Sequence, residues 1–170
     1  GRVLISGGSD GTIEQASSEI YDPQTRSWSP APSMLIARRA HTATALADGR
    51  ILVVGGRAGS VSLDSVEVYD ANKMGWSQLA PMEIGRRGHT TTLLAGGHVL
   101  VAGGGTALSV NSSEVYDPAV DAWTRTDNLL GPRRDHAATL LRTGNVVISG
   151  GKSGLVAPLR RTEIYDPFAG

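Results

Sequence analysis

Apolar residues in this chain come in short runs, many of them alternating with polar positions, and each run is bounded by Gly, Asp, Asn, Ser or Pro. No stretch has the three-to-four spacing of a long amphipathic helix, so the pattern predicts strands and turns throughout. One segment shows the arrangement. Residues 41–47 (HTATALA) predict a strand, Asp48-Gly49 a two-residue hairpin turn, and residues 50–54 (RILVV) the next strand. A variable loop follows, then 65–70 (SVEVYD), a turn, and a strand at Trp76. These are four strands, a to d, joined as an antiparallel meander.

The unit recurs. Paired glycines stand at Gly7-Gly8, Gly55-Gly56, Gly103-Gly104 and Gly150-Gly151, which are 48, 48 and 47 residues apart. Tyr21, Tyr69, Tyr116 and Tyr165 keep the same beat, each followed by Asp, as do Trp28, Trp76 and Trp123, and His41, His89 and His136. Four-stranded units of about 48 residues predict β-propeller blades. Side-chain size agrees with a radial arrangement. Strand a is made of small residues (HTATALA, HTTTLLA, HAATLL), whereas Tyr is on strand c and Trp on strand d, so the units taper toward an axis.

Gly-Gly after strand b, Glu-(Val/Ile)-Tyr-Asp on strand c and a Trp shortly afterwards resemble the kelch motif, in the bacterial style related to the galactose-oxidase propeller. The resemblance covers essentially the whole chain. The expected fold is all-β, a kelch-type β-propeller segment of four-stranded antiparallel blades, two complete and two partial. Residues 1–33 are expected to hold strands b, c and d, 34–81 and 82–129 complete blades, and 130–170 strands a, b and c. Open ends would leave unpaired strand edges and apolar faces. The expectation is a segment of a larger ring, with the missing blades supplied by the parent chain or by another copy.

Composition narrows the chemistry. Sixteen Lys plus Arg balance sixteen Asp plus Glu, so no global field draws the chain to nucleic acid or to an anionic membrane. Cysteine is absent, which removes disulfides, thiolate nucleophiles and thiolate metal sites. No apolar run approaches the roughly 18 residues of a membrane span, and the first residues lack a signal-peptide layout. The compartment stays open on composition. The resemblance implies an extracellular or cell-surface setting.

Arg-Arg-x-His recurs at 38–41, 86–89 and 133–136 and holds the candidate chemistry. The histidines are read as hydrogen-bonded pins between blades, against a ring around one metal ion. Arg38, Arg86 and Arg133 match an Arg of the motif three residues before the His. Glu19, Glu67, Glu114 and Glu163 recur on strand c, so structural Arg-Glu ion pairs are expected. The second arginines, Arg39, Arg87 and Arg134, lie outside the motif. Loops b-to-c and d-to-a emerge at one end of a meander, so these three share a face with Arg57, Lys152, Arg160 and Arg161. Two readings are open there: a channel mouth gripping carboxylate or phosphate, or solvated arginines paired with Asp10, Glu14, Asp64, Glu83 and Asp135.

The remaining motifs have plain readings. Gly-Gly lacks the helix of a phosphate loop and is read as strand-ending glycine for close packing or positive φ. Asp22, Asp117 and Asp166, each before Pro, are read as turn formers. Asn111-Ser-Ser matches a glycosylation triplet, and 9–12 (SDGT) resembles a sialidase Asp-box with the wrong spacing and no aromatic.

No catalytic arrangement rises above the repeat, and the copper-radical chemistry of galactose oxidase needs a cysteine that is absent here. No cofactor and no metal are expected. The leading expectation is a non-enzymatic binding scaffold for a protein or an extracellular polymer. The alternative is a carbohydrate-binding module or the propeller portion of a larger extracellular enzyme, and a self-assembling structural protein is third.

Overall fold

The computed structural model describes residues 1–154 and 157–168, so Leu155, Val156 and the last two residues of the 130–170 unit lie outside the described residues. The first sheet has three strands, β1 (Val3–Ser6), β2 (Ser18–Asp22) and β3 (Ser27–Ala31). The second begins with β4 (Thr42–Ala45) and β5 (Ile51–Val54). A small hairpin of β6 (Arg57–Ala58) and β7 (Val61–Ser62) interrupts it before β8 (Val66–Asp70) and β9 (Gly75–Leu79) complete its four strands. The third is the uninterrupted meander β10 (Thr90–Leu93), β11 (Val99–Ala102), β12 (Ser113–Asp117) and β13 (Ala122–Thr126). In the fourth, β14 (Ala137–Leu140) and β15 (Val146–Ser149) precede a second hairpin, β16 (Lys152–Ser153) and β17 (Ala157–Pro158), before β18 (Thr162–Tyr165). No described helix is long and apolar enough to cross a membrane.

All pairings are antiparallel, and the register repeats: Tyr21 faces Trp28, Tyr69 faces Trp76 and Tyr116 faces Trp123 across strands c and d. Their rings meet tilted, with centroids 5.1, 5.3 and 4.9 Å apart. Alternation along each strand sends one set of side chains toward each neighbouring blade. Leu52 and Val54 of the second blade therefore meet Val99 and Val101 of the third, and Leu100 and Ala102 meet Val146 and Ile148 of the fourth. The core thus lies between blades.

The a-to-b turn departs from the two-residue expectation. Leu46 N donates to Arg50 O at 2.8 Å and Gly49 N to Leu46 O at 3.0 Å, so Ala47, Asp48 and Gly49 form a three-residue loop. Gly49 has φ +87°, and the glycine after a tight turn takes the left-handed position of a bulge. Gly97 and Gly144 repeat this arrangement.

Blade-to-blade stitching is done by the backbone around Gly-Gly. Arg38 N donates to Gln15 O at 3.1 Å, Gly8 N to Arg38 O at 2.9 Å and Met34 N to Ala16 O at 2.8 Å, so the segment entering one blade is tied to the b-to-c loop of the blade before. The same three bonds recur around Arg86 and Arg133. Close approach demands glycine there. A Cβ on Gly55, at φ +59°, would lie 2.6 Å from Arg86 O and 2.9 Å from His89 Cε1.

Candidate functional site

Three of the four glutamates on strand c are clamped by the first arginine of a cluster. Arg38 is fully buried. Its Nη1 donates to Gly55 O at 2.8 Å and Ser65 O at 2.9 Å, and its Nη2 to Ser65 Oγ at 3.0 Å and Glu67 Oε1 at 2.6 Å. Glu67 also accepts the Leu35 and Ile36 amides at 2.6 and 3.1 Å. Desolvation pulls the Arg38 guanidinium below its ordinary value, and the facing Glu67 carboxylate opposes that pull. Arg86–Glu114, at 2.6 Å, and Arg133–Glu163 repeat the clamp within their own blades. The main chain of each arginine holds the preceding blade while its side chain fastens its own. Glu19 differs: it is exposed and has no ion pair among the described residues.

The histidines pin neighbouring blades. His89 Nε2 and Thr42 Oγ1 are 2.9 Å apart, and His136 Nε2 and Thr90 Oγ1 3.0 Å. Burial, with the Arg86 charge next in importance, pushes His89 down to about 3, and burial with Arg133 pushes His136 down to about 4. Both rings are neutral at pH 7. Among the described residues no three His, Asp or Glu side chains stand close enough to hold a metal ion. The indoles are engaged as well, with Trp76 Nε1 donating to Pro32 O and Trp123 Nε1 to Ala80 O, both at 2.8 Å.

The second arginines lie where the a–b ladder resumes beyond Gly-Gly. Arg39 bridges Arg57, Arg87 bridges Gly105 and Arg134 bridges Lys152, each by two backbone hydrogen bonds. Residue x of Arg-Arg-x-His makes the bend. Ala40, Gly88 and Asp135 have φ of +53°, +65° and +54°, a left-handed conformation that strains any residue but glycine. On its far side each ladder continues into the small b-to-c hairpin, through Arg57–Ser62, Gly105–Ser109 and Lys152–Pro158. One end of the sheets thus presents Arg39, Arg87, Arg134, Arg57 and Lys152 on rigid backbone.

Several of these charges have partners within the chain. Glu14 Oε1 lies 3.0 Å from Arg39 Nε and 3.9 Å from Arg57 Nε. Asp135 holds Lys152 Nζ at 3.2 Å, and Glu83 is drawn to Arg125 Nε at 2.6 Å. Asp10 caps its own loop, accepting the Thr12 and Ile13 amides at 2.8 and 2.9 Å, and those bonds lower its carboxyl. Arg160 and Arg161 are exposed beside the second hairpin, and the Arg161 guanidinium reaches toward Gly131.

A family model described as the KLHDC2/KLHL20/DRC7 Kelch-repeats domain matches residues 1–151. The chain belongs to the kelch-repeat family. No curated protein matches it. In this kelch chain, Glu67, Glu114 and Glu163 with the first arginines, Tyr69 and Tyr116 with Trp76 and Trp123, and the glycines Gly55 and Gly103 serve contacts within or between blades. Asp22, Asp117 and Asp166 cap turns, accepting the amides of Gln24, Ala119 and Phe168 at 2.8, 2.8 and 2.9 Å. Asn111 Nδ2 donates to Leu129 O at 3.3 Å.

Sequence reasoning missed Ser65 and Ser112, whose hydroxyls complete two arginine clamps, and Thr42 and Thr90, which receive the histidines. Their signal was present. Ser65 and Ser112 each precede the strand-c Glu by two positions, and Thr42 and Thr90 each follow a His.

Proposed function

We propose that this kelch segment is a non-catalytic interaction scaffold that binds its partner through the loop face bearing Arg39, Arg87, Arg134, Arg57 and Lys152. One observation carries the reading. The repeated Arg–Glu pairs of the blades are buried in the fold, whereas the second arginines sit on a backbone ladder at one end, outside those clamps. Preorganised arginines recognise carboxylate and phosphate with directional, charge-assisted hydrogen bonds. A partner that is a protein or an acidic extracellular polymer fits this face.

The test is a triple variant, Arg39→Glu, Arg87→Glu and Arg134→Glu, compared with the parent chain on acidic-peptide and glycan arrays after circular dichroism has shown that it folds. Loss of the bound set is expected. Retention of every ligand would sink the reading.

A second reading concerns the ends and supports partners of another kind, namely further blades from the parent chain or from another copy. Ile164 on the fourth blade is 64% exposed where Val68, at the equivalent place in the second, is 4% exposed. Val3 and Ile5 are likewise exposed on the first blade, where Val53 is fully covered.

A further inference from the structure

We propose that the b-to-c loop tips form a membrane-docking surface, with Ile13, Val61 and Leu108 entering an anionic bilayer and the cationic rung beneath them meeting lipid phosphates. The inference goes beyond the loop-face reading: its anchors are aliphatic residues that reading does not use, and its partner is a lipid surface.

The tips are equivalent by hydrogen bonding. Gln15, Leu63, Val110 and Leu159 donate their amides to the second glycine of their own blade, to Gly8 O at 3.0 Å, Gly56 O at 2.9 Å, Gly104 O at 2.7 Å and Gly151 O at 2.8 Å. Two residues before each stand Ile13, Val61, Leu108 and Ala157. The three larger side chains are 58%, 62% and 64% exposed, and Ala157 is exposed as well. Blades repeated around one axis set equivalent positions at one height, so these side chains project from a common plane. They stand apart, one to a loop. A rigid partner would need a separate socket for every tip, whereas a fluid layer closes around all of them.

The backbone ladders fix the depth of each group. Arg39 bridges Arg57, Arg57 pairs with Ser62, and Ala58 and Val61 form the next pair outward. Arg87 bridges Gly105, which bridges Ser109, and Leu108 comes next. Arg134 bridges Lys152, Lys152 pairs with Pro158, and Ser153 pairs with Ala157 beyond it. In the second, third and fourth blades the apolar position is therefore one residue, about 3.3 Å, farther out than the cationic rung. Those loops carry no charge outside it: residues 58–63, 105–113 and 153–159 contain no Asp, Glu, Lys or Arg. In the first loop the Asp10 carboxylate is turned back onto the Thr12 and Ile13 amides. The rung itself holds Arg39, Arg57, Arg87, Arg134 and Lys152 against Glu14 and Asp135, five cations to two carboxylates. Zero net charge on the whole chain does not oppose this local surplus, because screening confines surface charges to near neighbours. Apolar tips above a cationic layer match the order of a leaflet approached from water, where acyl chains lie deeper than phosphates.

The first measurement is sedimentation with phosphatidylcholine vesicles containing about one part in three phosphatidylserine. The parent chain should bind them, and bind pure phosphatidylcholine vesicles at least about tenfold more weakly. An Ile13→Ser, Val61→Ser, Leu108→Ser variant, checked for folding by circular dichroism, should lose about tenfold or more in affinity for the anionic vesicles. Insertion is read directly with Val61→Trp. Relative to the parent, its emission should shift to the blue on vesicle binding and be quenched by lipids brominated in the acyl chain. No binding, binding indifferent to the three serines, or Val61→Trp emission unmoved by vesicles would overturn the proposal. A chain that takes acidic peptides through Arg39, Arg87 and Arg134 yet ignores vesicles would overturn it while leaving the loop-face reading in place. Tip-dependent vesicle binding by a chain that takes no acidic peptide or glycan would support it and sink that reading instead.

Discussion

At the scale of the residue, the decisive feature is a charged pair placed where no water reaches it. Arg38 and Glu67 are both fully buried, and their pairing is tolerated because nearly every donor and acceptor is used: two carbonyls and a hydroxyl by the guanidinium, two amides by the carboxylate. Removing one charge leaves the other desolvated and uncompensated. Glu67→Gln is expected to cost about 3 kcal/mol of folding stability, read from the urea midpoint. Asp64→Asn, on an exposed acid in the adjoining loop, should stay within about 0.5 kcal/mol. Equal midpoints for the two variants would show that the clamp is not a source of stability. The pairing itself was legible, since a cation and an anion recurring once per unit imply contact. The depth of burial was not, because it depends on the next blade closing over the clamp.

At the scale of the element, the strands that matter most are β4, β10 and β14, which stand side by side and are joined by His–Thr bonds between blades. His89 has a folded value of about 3 against an ordinary 6.5, so between those values the unfolded chain binds the extra proton and the folded chain does not. Stability from this group is therefore fully present above pH 6.5 and is lost as pH falls from there toward 3. At pH 5 the loss from His89 alone is about 2 kcal/mol. Denaturant midpoints measured from pH 7.5 to 4.5 should decline, and a His89→Gln variant, weaker at pH 7.5, should decline less steeply. The strand pattern, the aromatic pairs and the small residues of these inner strands were readable, because they follow from period-two alternation and taper. The resumed ladder beyond Gly-Gly was not. It depends on left-handed Ala40 and Asp135, residues with no intrinsic preference strong enough to announce that conformation.

At the scale of the molecule, each junction uses the face of one blade as a receiver and the Arg-x-x-His segment of the next as an insert, and the receiving face of the fourth blade holds no insert among the described residues. Gly55 and Gly150 make the comparison sharp. Both have positive φ, +59° and +67°, so alanine imposes similar backbone strain of about 1 kcal/mol at each. At Gly55 the added methyl also strikes Arg86 O and His89 Cε1, whereas at Gly150 the nearest atom is Leu159 O at 3.9 Å. In dilute solution of the 170-residue chain, Gly55→Ala should therefore unfold at a much lower denaturant concentration than Gly150→Ala. The difference disappears if the fourth blade receives another one. Should copies of the chain stack through this face, the melting temperature and the sedimentation coefficient of the parent would rise with concentration, and Gly150→Ala would abolish both rises. In a longer chain whose following blade docks there, Gly150→Ala would be as damaging as Gly55→Ala. A Gly150→Ala variant as stable as the parent and indistinguishable from it at every concentration, both in the 170-residue chain and in a longer one, would show that this face receives nothing.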